Sequence, residues 1–275
     1  MQALRQKLQQ KNIAASMIVI IAFSPNALSF SNAKQSPAPP DTRPITLPII
    51  LYHHIRPITS DMSTLARGLS VTPESFEDQL RYFKKNNYTT LPLQQLAKAL
   101  ENKSSIPSKT FALTFDDGYA DLYTYAWPLL KRYGFQATAF IIVNRVGTPD
   151  SASWDQLREM ERSGAIDIQS HTLNHPMLAT LSPDRARYEI EQSKVILEKK
   201  LHKSISIFCY PYGNYNEGVL RFVRQAGYAA ALTTKGGVQH AKDSLFELYR
   251  VRLSTGDKDH RLTHIIRSLF GQKTP

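Results

Sequence analysis

Two short stretches carry the side chains with the most chemical potential. Asp116 and Asp117 are adjacent and follow the apolar run Phe111-Ala-Leu-Thr-Phe115. His171 and His175 stand four residues apart in Ser170-His-Thr-Leu-Asn-His-Pro176, just after Ile166-Asp-Ile168. Neighbouring carboxylates behind an apolar strand are costly unless something positive stabilises them. Adjacent residues on an extended chain point to opposite sides, so the two acids are expected to have different tasks. A turn of helix or a tight loop brings histidines at this spacing to one centre. Two imidazoles and one carboxylate form a divalent-metal triad that leaves positions open for water and substrate. The other carboxylate is then free to take a proton from an attacking water. Two more polar groups follow apolar runs: His53-His54 after Ile49-Ile-Leu-Tyr52, and Tyr210-Pro-Tyr-Gly213 after Ile205-Ser-Ile-Phe-Cys209.

All four groups lie at the carboxyl ends of predicted strands, the face on which parallel α/β folds bind ligands. Amphipathic stretches run between the strands. Thr72-Pro73 opens a helix with Phe76, Leu80 and Phe83 at helical spacing, and Ser153 caps a second helix reaching Ser163. Ser182-Pro183 opens a third toward Leu201, a fourth covers 216–226, and a last begins near 259. Further strands are expected at 137–143, 228–233 and 248–253. Strands separated by helices pair in parallel through right-handed crossovers. About seven such units favour a (β/α) barrel, a single α/β domain, over an open doubly wound sheet.

Composition narrows the class. Of 275 residues, 42% are hydrophobic and 21% charged, which excludes a chain disordered throughout. A single cysteine, Cys209, excludes a disulfide framework and a cysteine-based zinc site, and at the end of a buried strand it is expected to be inert. Trp154, opening a helix near the site, is expected to pack in the core rather than stack on a sugar. The 34 basic residues outnumber 23 acidic ones, giving +11. No basic stripe interleaved with aromatics accompanies that excess, so no nucleic-acid partner is expected. Residues 1–12 carry Arg5, Lys7 and Lys11, residues 13–23 are an apolar run, and small residues follow to Ala33. This is the order of an export signal, with an uncleaved membrane tether as its alternative. Residues 34–48, with five prolines, are expected to be an extended linker, leaving 49–275 as the domain, a monomer at the cell exterior or in the periplasm.

Thr114-Phe-Asp-Asp-Gly-Tyr119 and Ser170-His-Thr-Leu-Asn-His175 resemble the first two motifs of the polysaccharide deacetylases, carbohydrate esterase family four with the NodB-homology domain. The resemblance covers roughly residues 47–260. It implies a distorted (β/α) barrel as a single catalytic domain and removal of acetyl groups from a polysaccharide, with Asp116 as general base and Asp117, His171 and His175 holding a divalent metal, usually zinc. The third family motif, Arg-x-Pro-Tyr, reads Cys209-Tyr-Pro-Tyr212 here, so its arginine is missing, and Arg250 or Arg252 is the candidate replacement. Pro211, Gly213 and Arg250 are expected on the substrate side, with the Tyr212 segment offering a backbone N–H to the developing oxyanion. Ile50-Leu-Tyr-His-His-Ile55 resembles the permuted branch, which includes exported deacetylases of poly-N-acetylglucosamine. That branch implies His53 as the proton donor, leaves His54 pointing away, and favours an N-acetylglucosamine polymer as substrate. A carbohydrate-binding protein on a decayed enzyme scaffold is the competing reading, supported only by the missing arginine.

Overall fold

The computed structural model describes residues 44–255 and Ser268. Seven strands form its centre: β1 (Ile49–Tyr52), β2 (Thr110–Phe115), β3 (Ala137–Ile141), β4 (Ile166–Ser170), β5 (Ile207–Cys209), β6 (Ala230–Gly236) and β7 (Leu248–Arg252). Each pairs in parallel with the next along the chain, and β7 returns to β1 through Val251↔Ile50 and Arg252↔Leu51, so the sheet closes. The expected distorted (β/α) barrel is what forms.

Alternation along each strand divides the core in two. Phe111, Leu113 and Phe115 of β2 face the surrounding helices with Phe76, Leu80 and Phe83. Ala112 faces inward with Ile49, Phe140, Ile207, Cys209, Ala230 and Leu248. The helices longer than five residues are α1 (Pro73–Lys85), α2 (Leu93–Asn102), α3 (Trp127–Tyr133), α4 (Trp154–Arg162), α5 (Pro183–Leu201) and α6 (Glu217–Gln225). Thr72 Oγ1 caps α1 by accepting from Ser75 N at 3.2 Å, and Ser153 with Gln156 forms a capping box on α4. Ser182 makes no such bond, and Pro183 at the first helical position starts α5 without it. Helices α2 and α3 are additional to the sequence expectation. Leu93, Leu96, Ala97 and Leu100 of α2 join the inward-facing cluster and close the barrel at the amino ends of the strands.

The linker boundary moves. Ile45 and Thr46 pair antiparallel with His240 and Gln239, and Leu47 is fully buried with its N–H donating to Val238 O at 2.8 Å. Burial of Ile45 and Leu47 outweighs the prolines on either side, so residues 44–48 belong to the domain. The export segment 1–33, linker residues 34–43 and the expected helix from about 259 lie outside the described residues.

Candidate active site

The inward alternation of β2 carries Ala112, Thr114 and then Asp116 into the barrel mouth, with Asp116 N donating to Tyr52 O at 3.0 Å. Asp117 and Gly118 then adopt left-handed backbone, φ 73° and 75°. A Cβ on Gly118 would sit 2.8 Å from Ile141 Cδ1 on a left-handed backbone, so this turn favours glycine. The turn carries Asp117 to a second position at the same mouth. The two acids separate as expected, by a left-handed turn in addition to simple alternation.

Asp117, His171 and His175 converge. Asp117 Oδ1 lies 3.5 Å from His171 Nε2 and 3.4 Å from His175 Nε2, and the two Nε2 atoms are 3.1 Å apart. A tetrahedral centre with bonds near 2.0–2.1 Å needs donor separations of about 3.3 Å, so this triangle fits one cation. Asp117 Oδ1 is buried and has no hydrogen-bond partner, an expensive state that a cation would relieve. His171 Nδ1 donates to Cys209 O at 2.8 Å, which leaves the Nε2 lone pair facing the site. Burial and the neighbouring His171 lower the His175 pKa to about 4, so its imidazole is neutral and ligand-competent at ordinary pH. Buried Glu189 on α5 holds the histidine loop, accepting from Leu173 N, Asn174 N and Asn174 Nδ2 at 3.1, 2.9 and 2.7 Å. These residues can hold a divalent cation.

Asp116 has a different partner. Arg250 Nη1 and Nη2 reach its two carboxylate oxygens at 2.7 and 2.8 Å, a bidentate pair buried on both sides. Arg250 also donates to Thr233 O at 2.8 Å and approaches Cys209 Sγ at 3.2 Å. Burial alone would raise the Asp116 pKa, but Arg250, with His171 and His53 adding to it, holds the carboxyl well below its usual range. Arg250 thus brings to Asp116 a guanidinium that the Cys209 position does not carry. It is 2% exposed with its donors directed inward, so its expected place on the substrate side is corrected. Cys209 occupies the motif position without the charge, its thiol pKa pushed up by burial.

His53 is half-buried at the mouth, within electrostatic reach of Asp116 and Asp117. Burial lowers its pKa below 6.5, a shift that the two carboxylates oppose. Tyr212 is 59% exposed, with its ring centroid 4.5 Å from that of His175. Pro211 is buried, and Gly213 N–H is committed to Tyr210 O at 2.9 Å, so that donor holds the turn. Gly213 has φ 66°, and a Cβ there would press on Thr234 Oγ1 and lie 2.9 Å from Thr234 N. Gly213→Ala is expected to destabilise the fold by about 2–4 kcal/mol, because backbone strain and overlap add. Urea unfolding measures this, and an unchanged midpoint would contradict the close approach.

One participant escaped the sequence reading. Tyr119 stacks on His54 with centroids 3.6 Å apart, and its hydroxyl donates to the Asp117 carboxylate while Arg145 approaches it. Burial and Asp117 push its pKa up to about 12. His54 points away from His53, as expected, and its Nδ1 meets Asp121 Oδ2 at 2.6 Å. Its adjacency to the carboxylate motif was the available signal. Partners of metal-binding groups are worth roughly 10–100-fold in affinity, so Tyr119→Phe should weaken divalent-metal binding by that order. Calorimetric titration of the metal-free protein tests this; unchanged affinity would remove Tyr119 from the site.

Comparison with known proteins agrees with the motifs. The family model described as polysaccharide deacetylase matches residues 103–231, which span both motifs but neither His53 nor Arg250. The Bacillus subtilis protein named "Putative polysaccharide deacetylase YxkH" is 34% identical over 214 residues, covering 78% of this chain and 74% of its own. A Staphylococcus epidermidis poly-beta-1,6-N-acetyl-D-glucosamine N-deacetylase is 28% identical over 205 residues, covering 66% and 70%. The solved structure of Streptococcus pyogenes deacetylase PplD in complex with acetate shares 32% identity and a TM-score of 0.76, covering 80% of this chain and 98% of that one. With both motifs, the closed barrel and these relatives in agreement, the chain belongs to the polysaccharide deacetylase family.

Proposed function

We propose that the protein is an exported, metal-dependent N-deacetylase acting on a polymer of N-acetylglucosamine, with zinc as the expected ion. The observation that carries the metal assignment is the unpartnered Asp117 Oδ1 facing two histidine Nε2 atoms beside an ionised Asp116. A divalent cation held there would act as a Lewis acid on the acetyl carbonyl and on water. Asp116 takes the water's proton on its carboxylate, and Arg250 fixes the orientation of that carboxylate. The Tyr212 backbone N–H would donate to the carbonyl oxygen as negative charge develops. Burial lowers the His53 pKa, which makes its imidazolium a stronger acid toward the leaving nitrogen. Asp116 takes one proton from the water and His53 gives one to the leaving nitrogen, so the step balances.

The substrate assignment draws on the relatives named as poly-beta-1,6-N-acetyl-D-glucosamine N-deacetylases. The export assignment draws on the basic, apolar and small-residue order of residues 1–33. The decayed-binder reading loses its one support, because Arg250 supplies the guanidinium. Acetate release from poly-β-1,6-N-acetylglucosamine, chitin oligomers, peptidoglycan and acetylated xylan tests the proposal. The first polymer should be the best substrate; release from acetylated xylan alone would replace N-deacetylation with ester hydrolysis.

A further inference from the structure

Two exposed arginines stand on opposite walls of the barrel mouth. Arg145 lies in the turn after β3, whose residues Val143 and Asn144 donate backbone bonds to Thr172 O and Leu173 O of the histidine loop. Its guanidinium reaches the Tyr119 hydroxyl. Arg252 ends β7, two residues beyond Arg250, so its side chain leaves the same face one step nearer solvent. It pairs in register with Leu51, two residues before His53. Among the described residues neither arginine forms an ion pair with a carboxylate. Of the acids at the mouth, Asp116 is engaged with Arg250 and Asp121 with His54, while Asp117 faces the two histidines and the Tyr119 hydroxyl.

N-acetylglucosamine is neutral, but its deacetylated product is a primary amine that is largely protonated near neutral pH. A polymer under attack therefore gains positive charges as the reaction proceeds. We propose that Arg145 and Arg252 make the mouth discriminate against a protonated glucosamine beside the sugar being deacetylated, so that each product unit slows attack on its neighbours. The inference rests on the substrate reading above and adds a rule for where along the polymer the enzyme acts. Repulsion between solvent-exposed charges at this range amounts to a few-fold in rate, on the order of 3–10-fold at low salt, and is screened as salt rises.

The test compares two β-1,6-linked oligomers of equal length, one fully acetylated and one carrying a single glucosamine next to an acetylated unit. With the metal-loaded full chain, kcat/KM for acetate release should favour the fully acetylated oligomer by about 3–10-fold at low salt. The ratio should approach unity at high salt and in the Arg145→Gln/Arg252→Gln variant. Reading a ratio within one protein removes any general loss of activity, and the salt series on the unaltered protein stands alone if the variant does not fold. Equal rates at low salt would overturn the proposal. So would a preference that survives high salt, which would instead indicate a contact to the neighbouring acetyl group. No release from either oligomer would overturn the substrate reading itself, and the proposal with it.

Discussion

Asp116→Asn should lower turnover by about 10²–10⁴-fold or more while a full equivalent of metal stays bound. The amide cannot accept a proton, and general-base catalysis contributes that order of rate. Asp116 takes no part in the Asp117, His171 and His175 triangle, so metal binding should survive. Asp117→Asn should behave in the opposite sense, weakening metal affinity and recovering part of its activity when metal is added. Elemental analysis and acetate release on the two variants decide the matter. Metal lost from the Asp116 variant and kept by the Asp117 variant would exchange their roles.

Arg250→Gln has the second large effect, and its pH dependence carries the information. Removing one partner of a buried ion pair leaves an uncompensated charge, at a cost of about 3–5 kcal/mol. In the native protein the Asp116 carboxyl titrates below its ordinary value of 3.8, so its stabilising contribution is fully present above that value and lost as pH falls further. Without Arg250, burial dominates and the folded-state value moves above 3.8. The variant then gains stability relative to the native protein as pH falls from 7 toward 5, because protonation removes the buried charge. Urea unfolding at both pH values should show the gap between the two proteins narrowing. A gap independent of pH would mean that Arg250 stabilises the fold by packing and not by neutralising Asp116.

The parts of the site that were legible in the sequence are local. An apolar run ending in Asp116-Asp117-Gly118 and another ending near His171 announce strand ends, and a parallel barrel brings strand ends to one face. The arginine was harder, because its partner lies 134 residues away and only the register of β7 against β1 places it. Sequence narrowed the choice to Arg250 and Arg252; depth along β7 separated them, Arg250 buried against Asp116 and Arg252 exposed one step nearer solvent on the same face. The commitment of the Gly213 N–H to Tyr210 O was not legible, because a turn's internal hydrogen bond and a close backbone approach leave no trace in residue type beyond the glycine itself. Residues 44–48 were misjudged because proline count concealed two apolar residues, Ile45 and Leu47, with places waiting in the core.

The central assignment is that catalysis depends on one cation held by Asp117, His171 and His175. Its most direct test strips the protein with a chelator, returns zinc in steps, and follows bound metal and acetate release from poly-β-1,6-N-acetylglucosamine together. Release should be absent from the stripped protein, rise in proportion to occupancy, and saturate at one ion per chain, with both signals lost in the His171→Ala/His175→Ala variant. Undiminished release by the stripped protein, or a full equivalent of metal held by that variant, would contradict it.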